Sequence, residues 1–163
     1  MTDAPTTTLT VDQIRAELEL TRTAYRELAK SLTPEDYRKK TGNSAWTVGQ
    51  LMWHMAWGLQ YATASSDALR GKKQFAPPQG IFNMINPWLT RWGARGATGE
   101  SVTKKYDESH AKVLSALATL TDEDLGKTVK PIYEEQTVGY GFQMPARHFE
   151  EHNVDILKGL GRA

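Results

Sequence analysis

The sequence predicts an all-α protein, a bundle of four main helices in a single domain. Apolar residues recur at helical spacing in four segments, capping patterns precede two of these segments, and strand-like alternation is sparse. The 163 residues are enough for one hydrophobic core. We expect a disordered polar tail over residues 1–8 and one domain over residues 9–163.

The first helix is expected over residues 10–32. Thr10 and Gln13 have the spacing of a capping box, in which the two side chains accept hydrogen bonds from free N–H groups of the first turn. The apolar residues behind them fall at helical spacing and are Ile14, Leu18, Tyr25, Leu28 and Leu32. We interpret this stripe as core.

A second capping box at Thr47 and Gln50 predicts a long helix over residues 47–70, which Gly71 ends. One face of this helix carries Leu51, His54, Met55, Gly58, Tyr61, Ala62 and Ser65. A histidine therefore lies on the inward stripe, with small and aromatic residues as its helical neighbours.

Residues 72–99 break the helical pattern with several prolines and glycines. We expect a long crossover between the second and third helices, lying on the bundle and containing a short helix near residues 86–94. Such a connection either covers a functional site or simply runs the length of the bundle, and both explanations stay open. Its apolar stretch, residues 81–92, is the expected contact of a possible homodimer.

A third helix is expected over residues 100–120, and its end repeats the end of the first. The pattern Leu-Thr-x-Glu-Asp-apolar occurs at residues 32–37 and again at residues 120–125. This repeat suggests two related helix pairs, although shared capping chemistry also produces such patterns. His110 lies on the apolar face of the third helix, where it is either a core histidine or a residue lining a pocket. Residues 126–143 are expected to be irregular.

The fourth helix, over residues 144–158, carries the most informative pattern. Pro145 suits the first turn of a helix and Gly159 offers an end. His148 and His152 are four residues apart, so their imidazoles leave one helix face about 5–6 Å apart. That spacing suits two ligands of one metal ion with bonds of about 2.0–2.1 Å. The alternative is a partly exposed helix that carries two histidines without a metal.

His54 joins this pair if the second and fourth helices occupy matched places in related helix pairs. Three imidazoles from two helices form a metal face that leaves a position open for water or substrate. Two other metal sites are disfavoured. The H-x-x-E-H pattern ending at His152 needs a third ligand well downstream, and only eleven residues follow. A ferritin-like site needs two Glu-x-x-His pairs, which the sequence lacks.

Composition excludes several classes of function. The formal net charge of +1 and the absence of basic runs argue against nucleic acid and anionic membranes as partners. No apolar window is long enough to span a membrane. The sequence has no cysteine, which excludes disulfides, thiolate ligands and a cysteine nucleophile. No secretory signal is visible at the start, so a cytoplasmic location is expected.

Two segments resemble the DinB/YfiT-like superfamily of bacterial four-helix-bundle metalloproteins. The first is Trp-Thr-Val-Gly-Gln-Leu at residues 46–51, which leads to His54. The second is Arg147-His148-x-x-Glu151-His152, followed by Ile156. Helix number and chain length agree with this family, so the similarity covers nearly the whole chain.

The resemblance implies an up-down-down-up bundle with residues 72–99 as the crossover. It also implies one divalent metal, zinc or nickel, bound by His54, His148 and His152. In this topology the second and fourth helices are antiparallel, so their first turns lie toward opposite ends. We therefore expect the fourth helix to begin part-way along the bundle, after residues 126–143 have climbed it.

The resemblance further implies a low-molecular-weight-thiol-dependent S-transferase or isomerase that acts on small molecules in detoxification. Because the chain has no cysteine, the thiol would come with the cosubstrate. The candidate cations for its carboxylates are Arg91, Arg95 and Arg147. The candidate apolar wall for the electrophile consists of Trp57, Tyr61 and Trp88.

Two further hypotheses remain. A metal-dependent hydrolase would use the same metal to activate water, with Glu151 as the candidate general base. A stress protein that binds a metal or small molecule without turnover is the second.

Overall fold

Four long helical segments form the frame of the protein. The computed structural model describes residues 9–43, 45–74 and 76–162, so the predicted tail over residues 1–8 lies outside the described residues. In chain order the helices are α1 (Val11–Ser31), α2 (Val48–Gly58), α3 (Ala64–Leu69), α4 (Gln79–Gly93), α5 (Gly99–Leu117), α6 (Asp122–Leu125), α7 (Val138–Phe142) and α8 (Met144–Leu160), with 3₁₀ turns at Asp36–Arg38 and Leu59–Thr63 and a hairpin of β1 (Thr128–Val129) and β2 (Gln136–Thr137).

The helix directions confirm the expected up-down-down-up bundle. The N–H of Val11 at the start of α1 donates to Asp122 beyond the end of α5, so α1 and α5 are antiparallel. Gly42, shortly before α2, donates its N–H to the Asp155 carbonyl near the end of α8, so α2 and α8 are antiparallel as well. α2 and α3, joined by the 3₁₀ turn, together make the second long segment.

Capping boxes start the helices where the sequence predicts them. Thr10 and Thr47 each accept a hydrogen bond from the N–H three residues on, and Gln13 and Gln50 bond back to the two caps. The same reciprocal cap starts α5 at Thr98. Because these bonds satisfy N–H groups that a helix leaves free, they fix where each helix begins.

The crossover is more helical than predicted. Instead of a short helix near residues 86–94, α4 spans Gln79–Gly93 and includes Pro87. It lies against α2, and a Cβ at Gly93 would come within 2.2 Å of the Trp53 ring, so the missing side chain is what allows this approach. The outer face of α4 exposes Ile81 and Trp88 among other apolar side chains.

Residues 126–143 are ordered into the β1–β2 hairpin and α7, where an irregular connection was expected. α7 runs beside α3, because a Cβ at Gly141 would meet Ser65. α8 therefore begins part-way along the bundle. It also continues past Gly159, the expected end, to a left-handed cap at Gly161. Gly159 serves packing instead, because a Cβ there would lie 2.2 Å from the Lys40 carbonyl oxygen.

Two clusters of buried apolar side chains hold the helices together. One lies around α2 and includes Tyr25, Leu51, Met52 and Tyr106, and the other lies at the opposite end and includes Ile14 and Phe142. Within the described residues, every helix is too short or too polar to cross a lipid bilayer.

Candidate metal centre

Three histidines from two helices meet between α2 and α8. His54 lies in the second turn of α2, and His148 and His152 lie on one face of α8. Each offers a ring nitrogen, and these three atoms lie within 4.8 Å of one another. His54 and His152 are buried, and His148 is half-buried. We call His54, His148 and His152 the three-histidine cluster.

Small and aromatic neighbours shape the space that the cluster occupies. A Cβ at Gly58 would lie 2.9 Å from Cε1 of His148, so the glycine leaves room for this imidazole. On the other side the Trp46 ring packs against His54 and His152, at centroid distances of 4.6 and 6.1 Å. These contacts keep bulk water from most of the cluster.

Polar groups lie behind two of the rings, but only one of them is within hydrogen-bond distance. The hydroxyl oxygen of the fully buried Thr90 lies 3.3 Å from Nδ1 of His54. In the tautomer with the proton on Nδ1, His54 donates to this hydroxyl and its Nε2 is free to bind a metal. The Asp155 carboxylate lies 3.8 Å from Nδ1 of His152, beyond hydrogen-bond distance.

Burial keeps the three rings in the form that binds metals. It lowers the pKa of His54 to about 4 and that of His148 to about 3, and positive charge on neighbouring histidines adds to both shifts. Burial also lowers the pKa of His152, against the opposing influence of Glu151 and Asp155. Neutral imidazole is the metal ligand, so at neutral pH these rings are ready to bind a divalent ion.

The donor set fits a catalytic rather than a closed metal site. Two ligands of one tetrahedral zinc ion lie about 3.3 Å apart, so these nitrogens, which lie within 4.8 Å of one another, would move closer together to bind one ion. Three nitrogen ligands leave a coordination position free, as in catalytic zinc sites. Zinc and nickel both accept imidazole ligands.

A cavity of about 340 Å³ opens from the cluster toward α4 and the β1–β2 hairpin. His54 and His148 form part of its lining, and the remaining lining residues are Trp57, Gly58, Tyr61, Gln74, Ala76, Pro77, Phe82, Asn86, Ile132, Tyr133 and Met144. Tyr133 is fixed by a 2.6 Å hydrogen bond from its hydroxyl to the Pro77 carbonyl. The three-histidine cluster therefore borders a cavity whose wall includes the aromatic rings of Trp57, Tyr61, Phe82 and Tyr133.

A family model described as the DinB superfamily matches residues 17–155. The chain belongs to the DinB superfamily. No curated protein sequence matches it. In fold it is similar to the crystal structures of a mycothiol-dependent maleylpyruvate isomerase and of a histidine-to-alanine mutant of that enzyme, with TM-scores of 0.71 and 0.69. Each match has 14% sequence identity and covers 91% of this chain and 61% of the other, so this DinB chain spans about three fifths of their length.

Only two of the four predicted pocket residues line the cavity. Trp57 and Tyr61 line the cavity, as expected. Trp88 does not line it, because this side chain projects from the outer face of α4 and is 63% exposed. His110 was a pocket candidate too, but it is buried between α1 and α5, stacked on Tyr106. It is a core histidine outside the three-histidine cluster.

The charged candidates of this DinB protein do not line the cavity itself. Glu151, the candidate general base, is exposed on α8 and does not line it. Arg147 lies over the Tyr140 ring, 3.8 Å from its centroid, in a neighbouring depression. Arg91 and Arg95 line a separate groove beside the start of α5. The depression that Arg147 lines shares Tyr61 and Tyr133 with the cavity, whereas the groove of Arg91 and Arg95 shares no residue with it.

Several residues of the site were not predicted from the sequence, and four of them come from α4 and the hairpin. Thr90, Phe82 and Asn86 come from α4, and Tyr133 comes from the loop between the two strands. A helical period does run through Phe82, Asn86 and Thr90, spaced four apart, and it could have indicated an inward face of α4. No local signal marks Tyr133, since its place depends on how the hairpin folds back.

Proposed function

We propose that this protein is a divalent-metal-dependent enzyme that uses a low-molecular-weight thiol as cosubstrate, as an S-transferase or isomerase. The observation that carries the proposal is a cluster of three neutral, largely buried imidazoles at one end of an apolar cavity. The structural similarity to a mycothiol-dependent isomerase supports the thiol.

Each part of the site has a task in this proposal. His54, His148 and His152 hold the ion, Thr90 orients His54, and Trp46 shields the cluster from water. When bound, the ion lowers the pKa of a thiol in its open position. In an S-transfer the thiol loses its proton to solvent and its sulfur bonds to an electrophilic carbon. The leaving group then departs with its bonding electrons. The chain has no cysteine to replace the external thiol.

Metal content is the first test. We expect about one zinc or nickel ion per chain by mass spectrometry of untagged protein. His54→Gln, His148→Gln and His152→Gln should each lose it. His110→Gln is the matched control, because His110 is buried like His54 and His152 but lies outside the cluster. Wild-type protein that stays metal-free after reconstitution with both metals would contradict the proposal and favour a binding module.

The thiol is tested next, on metal-loaded protein. We expect conjugation or isomerisation of an electrophile only when mycothiol, bacillithiol or glutathione is present, and loss of this activity in His54→Gln. Turnover without any thiol would instead support hydrolysis. The exposed position of Glu151 does not favour that alternative, because a general base must reach the water it activates.

A further inference from the structure

The cavity beside the three-histidine cluster adjoins the depression that Arg147 lines. The two spaces, each of about 340 Å³, share four lining side chains, those of Tyr61, Ile132, Tyr133 and Met144. Met144 lies three residues before Arg147 and four before His148, so it is a neighbour of both on the surface of α8. A molecule that is too large for the cavity therefore extends into the depression.

The two spaces differ in charge. Among the described residues that line the cavity there is no lysine, arginine, aspartate or glutamate, so an ion held by the histidines would supply its charge. The depression instead carries charged or amide side chains at Gln79, Glu134, Gln136 and Arg147. A thiol whose sulfur binds the ion needs such partners for its polar end, since burying a polar group without a hydrogen bond is unfavourable. The depression is therefore the better place for that end.

Arg147 is a half-buried cation that no acidic side chain neutralises. Its guanidinium lies over the Tyr140 ring and donates a 3.0 Å hydrogen bond to the Tyr140 carbonyl. Within the described residues, no carboxylate oxygen lies within 4.0 Å of its nitrogens. This holds although Glu150 and Glu151 follow at pairing distance along the helix and Glu134 lines the same depression. A guanidinium has more N–H donors than this one bond uses, so others remain for a ligand.

The position of Arg147 favours a carboxylate as that ligand. Arg147 lies in the first turn of α8, where the positive end of the helix dipole disfavours a cation and attracts an anion. A guanidinium matches a carboxylate in shape and can form two parallel N–H···O bonds with it. Stacking on Tyr140 holds the planar group in one orientation, which lowers the cost of ordering it around a ligand.

We propose that the thiol cosubstrate carries a carboxylate, and that Arg147 binds this carboxylate in the depression while the sulfur binds at the metal. This inference rests on the proposed function and specifies the class of its thiol. The class is an acidic thiol, such as glutathione or bacillithiol. It separates this chain from the mycothiol-dependent isomerase of similar fold, because mycothiol has no carboxylate.

Binding of matched thiols to metal-loaded protein tests this class without turnover. Glutathione and bacillithiol carry carboxylates, whereas glutathione diethyl ester and mycothiol carry none. Their Kd values are measured by calorimetry. Bonds between a guanidinium and a carboxylate are among the stronger hydrogen bonds, so we expect wild-type protein to bind glutathione about tenfold or more tightly than its diethyl ester.

Three variants assign this preference to Arg147. Arg147→Gln should weaken the binding of glutathione and bacillithiol about tenfold and leave that of the diethyl ester and mycothiol nearly unchanged. Arg147→Lys keeps the charge and should retain part of the preference. Arg91→Gln is the matched control, because Arg91 also donates to a backbone carbonyl but lines a separate groove. It should bind all the thiols as wild type does.

The outcomes distinguish this inference from the proposed function. Equal losses for acidic and uncharged thiols in Arg147→Gln, or tighter binding of mycothiol than of glutathione to wild type, would overturn the acidic class even if thiol-dependent turnover is found. If the wild-type chain holds no metal, the proposed function fails. The same variants are then compared on metal-free protein with S-methylglutathione and its diethyl ester. A preference for the acid that depends on Arg147 would keep the carboxylate subsite, and the lack of any preference would refute it as well.

Discussion

The two halves of the bundle lead into their second helices through the same series of contacts. Thr33 and Asp36 exchange two backbone-to-side-chain hydrogen bonds, and Thr121 and Asp124 exchange the same pair at the same distances of 3.0 and 3.2 Å. In each half a lysine three residues further on then binds the aspartate, at 2.7 and 2.8 Å.

The correspondence continues to the second helices. The carbonyls of these lysines, Lys39 and Lys127, accept hydrogen bonds from Val48 and Val138, the first residues of α2 and α7. The glycine after each valine then packs on the backbone of the preceding turn. The repeat that the sequence suggests at residues 32–37 and 120–125 is thus part of a longer structural repeat.

The halves differ after this point, and the difference makes the site. α2 continues unbroken past His54, whereas α7 stops at Phe142 and α8 starts again at Met144. When the halves are matched, His54 corresponds to Met144, and His148 corresponds to Gly58, the glycine that makes room for it. The repeated residues form the common frame of the two halves. Residues that differ between the halves supply the histidines of the cluster and the space around them.

The largest expected effect concerns the polar groups near two histidines of the cluster, Thr90 near His54 and Asp155 near His152. Thr90→Val removes the hydroxyl at Nδ1 of His54 and should weaken metal binding about 10- to 100-fold, because such outer groups orient ligating histidines. Asp155→Asn should cost less, since its carboxylate lies 3.8 Å from His152. Competition with a chromophoric chelator measures both affinities.

Thr90→Ser is the matched control for this comparison, because it keeps the hydroxyl and should bind metal nearly as well as wild type. If Thr90→Val and Thr90→Ser bind metal equally well, the hydroxyl does not orient His54. A larger loss of metal affinity in Asp155→Asn than in Thr90→Val would contradict this ranking. It would show that the carboxylate near His152 matters more than the hydroxyl near His54.

Gly49 and Gly139 occupy matched positions in the two halves, and substituting them tests how closely each second helix packs on the turn before it. A Cβ at Gly49 would lie 3.0 Å from the Tyr37 carbonyl oxygen, whereas at Gly139 it would lie 3.3 Å from that of Leu125. Overpacking costs about 1–3 kcal/mol, partly offset by the better helix propensity of alanine. We expect Gly49→Ala to lower the free energy of unfolding by about 1–2 kcal/mol and Gly139→Ala to be nearly neutral. Urea unfolding measures both, and equal losses would contradict the ranking.

The caps of the two second helices should differ less. Thr47 forms a full capping box with Gln50, whereas Thr137 only accepts a hydrogen bond from the Tyr140 N–H. Thr47→Ala should therefore cost about 1 kcal/mol and Thr137→Ala about half as much. Serine at each position is the control, since it keeps the hydroxyl. A greater loss at Thr137 would show that α7 depends on its cap more than α2 does.

The sequence predicted those parts of the fold that depend on neighbouring residues. The caps at Thr10 and Thr47 and the apolar stripe of α1 are local patterns, and the structure confirms them. α4 was expected to be shorter, because Pro87 normally interrupts helices, and here the packing of Gly93 on Trp53 fixes the segment against α2. Such tertiary contacts leave no signal in the local pattern.

The site residues also divide into those that a local pattern predicts and those that depend on tertiary contacts. His148 and His152 share a helix face by spacing alone, so their proximity was predictable, and His54 joined them through the suggested repeat and the family resemblance. Trp88 was misplaced because an aromatic residue in an apolar segment does not reveal which face of its helix is covered. Tyr133 and Thr90 reach the site only through the folding of distant segments.

Neutralisation of the two repeated aspartates tests the charges within the turns. Asp36→Asn and Asp124→Asn keep an oxygen that can accept the threonine N–H and lose only the charge that binds the lysine. Asp36 is buried and also binds Arg162, whereas the Asp124 side chain is 21% exposed, so Asp36→Asn should be the more destabilising of the two.

The charges of Asp36 and Asp124 should make the stability of the protein depend on pH in the acid range. Hydrogen bonds from Lys39 and from the Thr33 N–H lower the pKa of Asp36 to about 2, and Lys127 and Thr121 lower the pKa of Asp124 to about 2 in the same way. In the unfolded chain both values return to about 3.9. Because the folded state binds protons less readily, this stability is complete above about pH 4 and is lost as the pH falls toward 2.

Urea unfolding at several pH values between 5 and 2 tests this dependence. Each asparagine variant should lose less stability over this range than wild type, and the double variant should lose least. Glu35→Gln is the matched control, since its carboxylate is exposed on the same turn and should leave the wild-type dependence intact. If Asp36→Asn and Asp124→Asn keep the full wild-type slope, the repeated lysine–aspartate pairs do not stabilise the turns, and shared backbone geometry alone accounts for the likeness of the two halves.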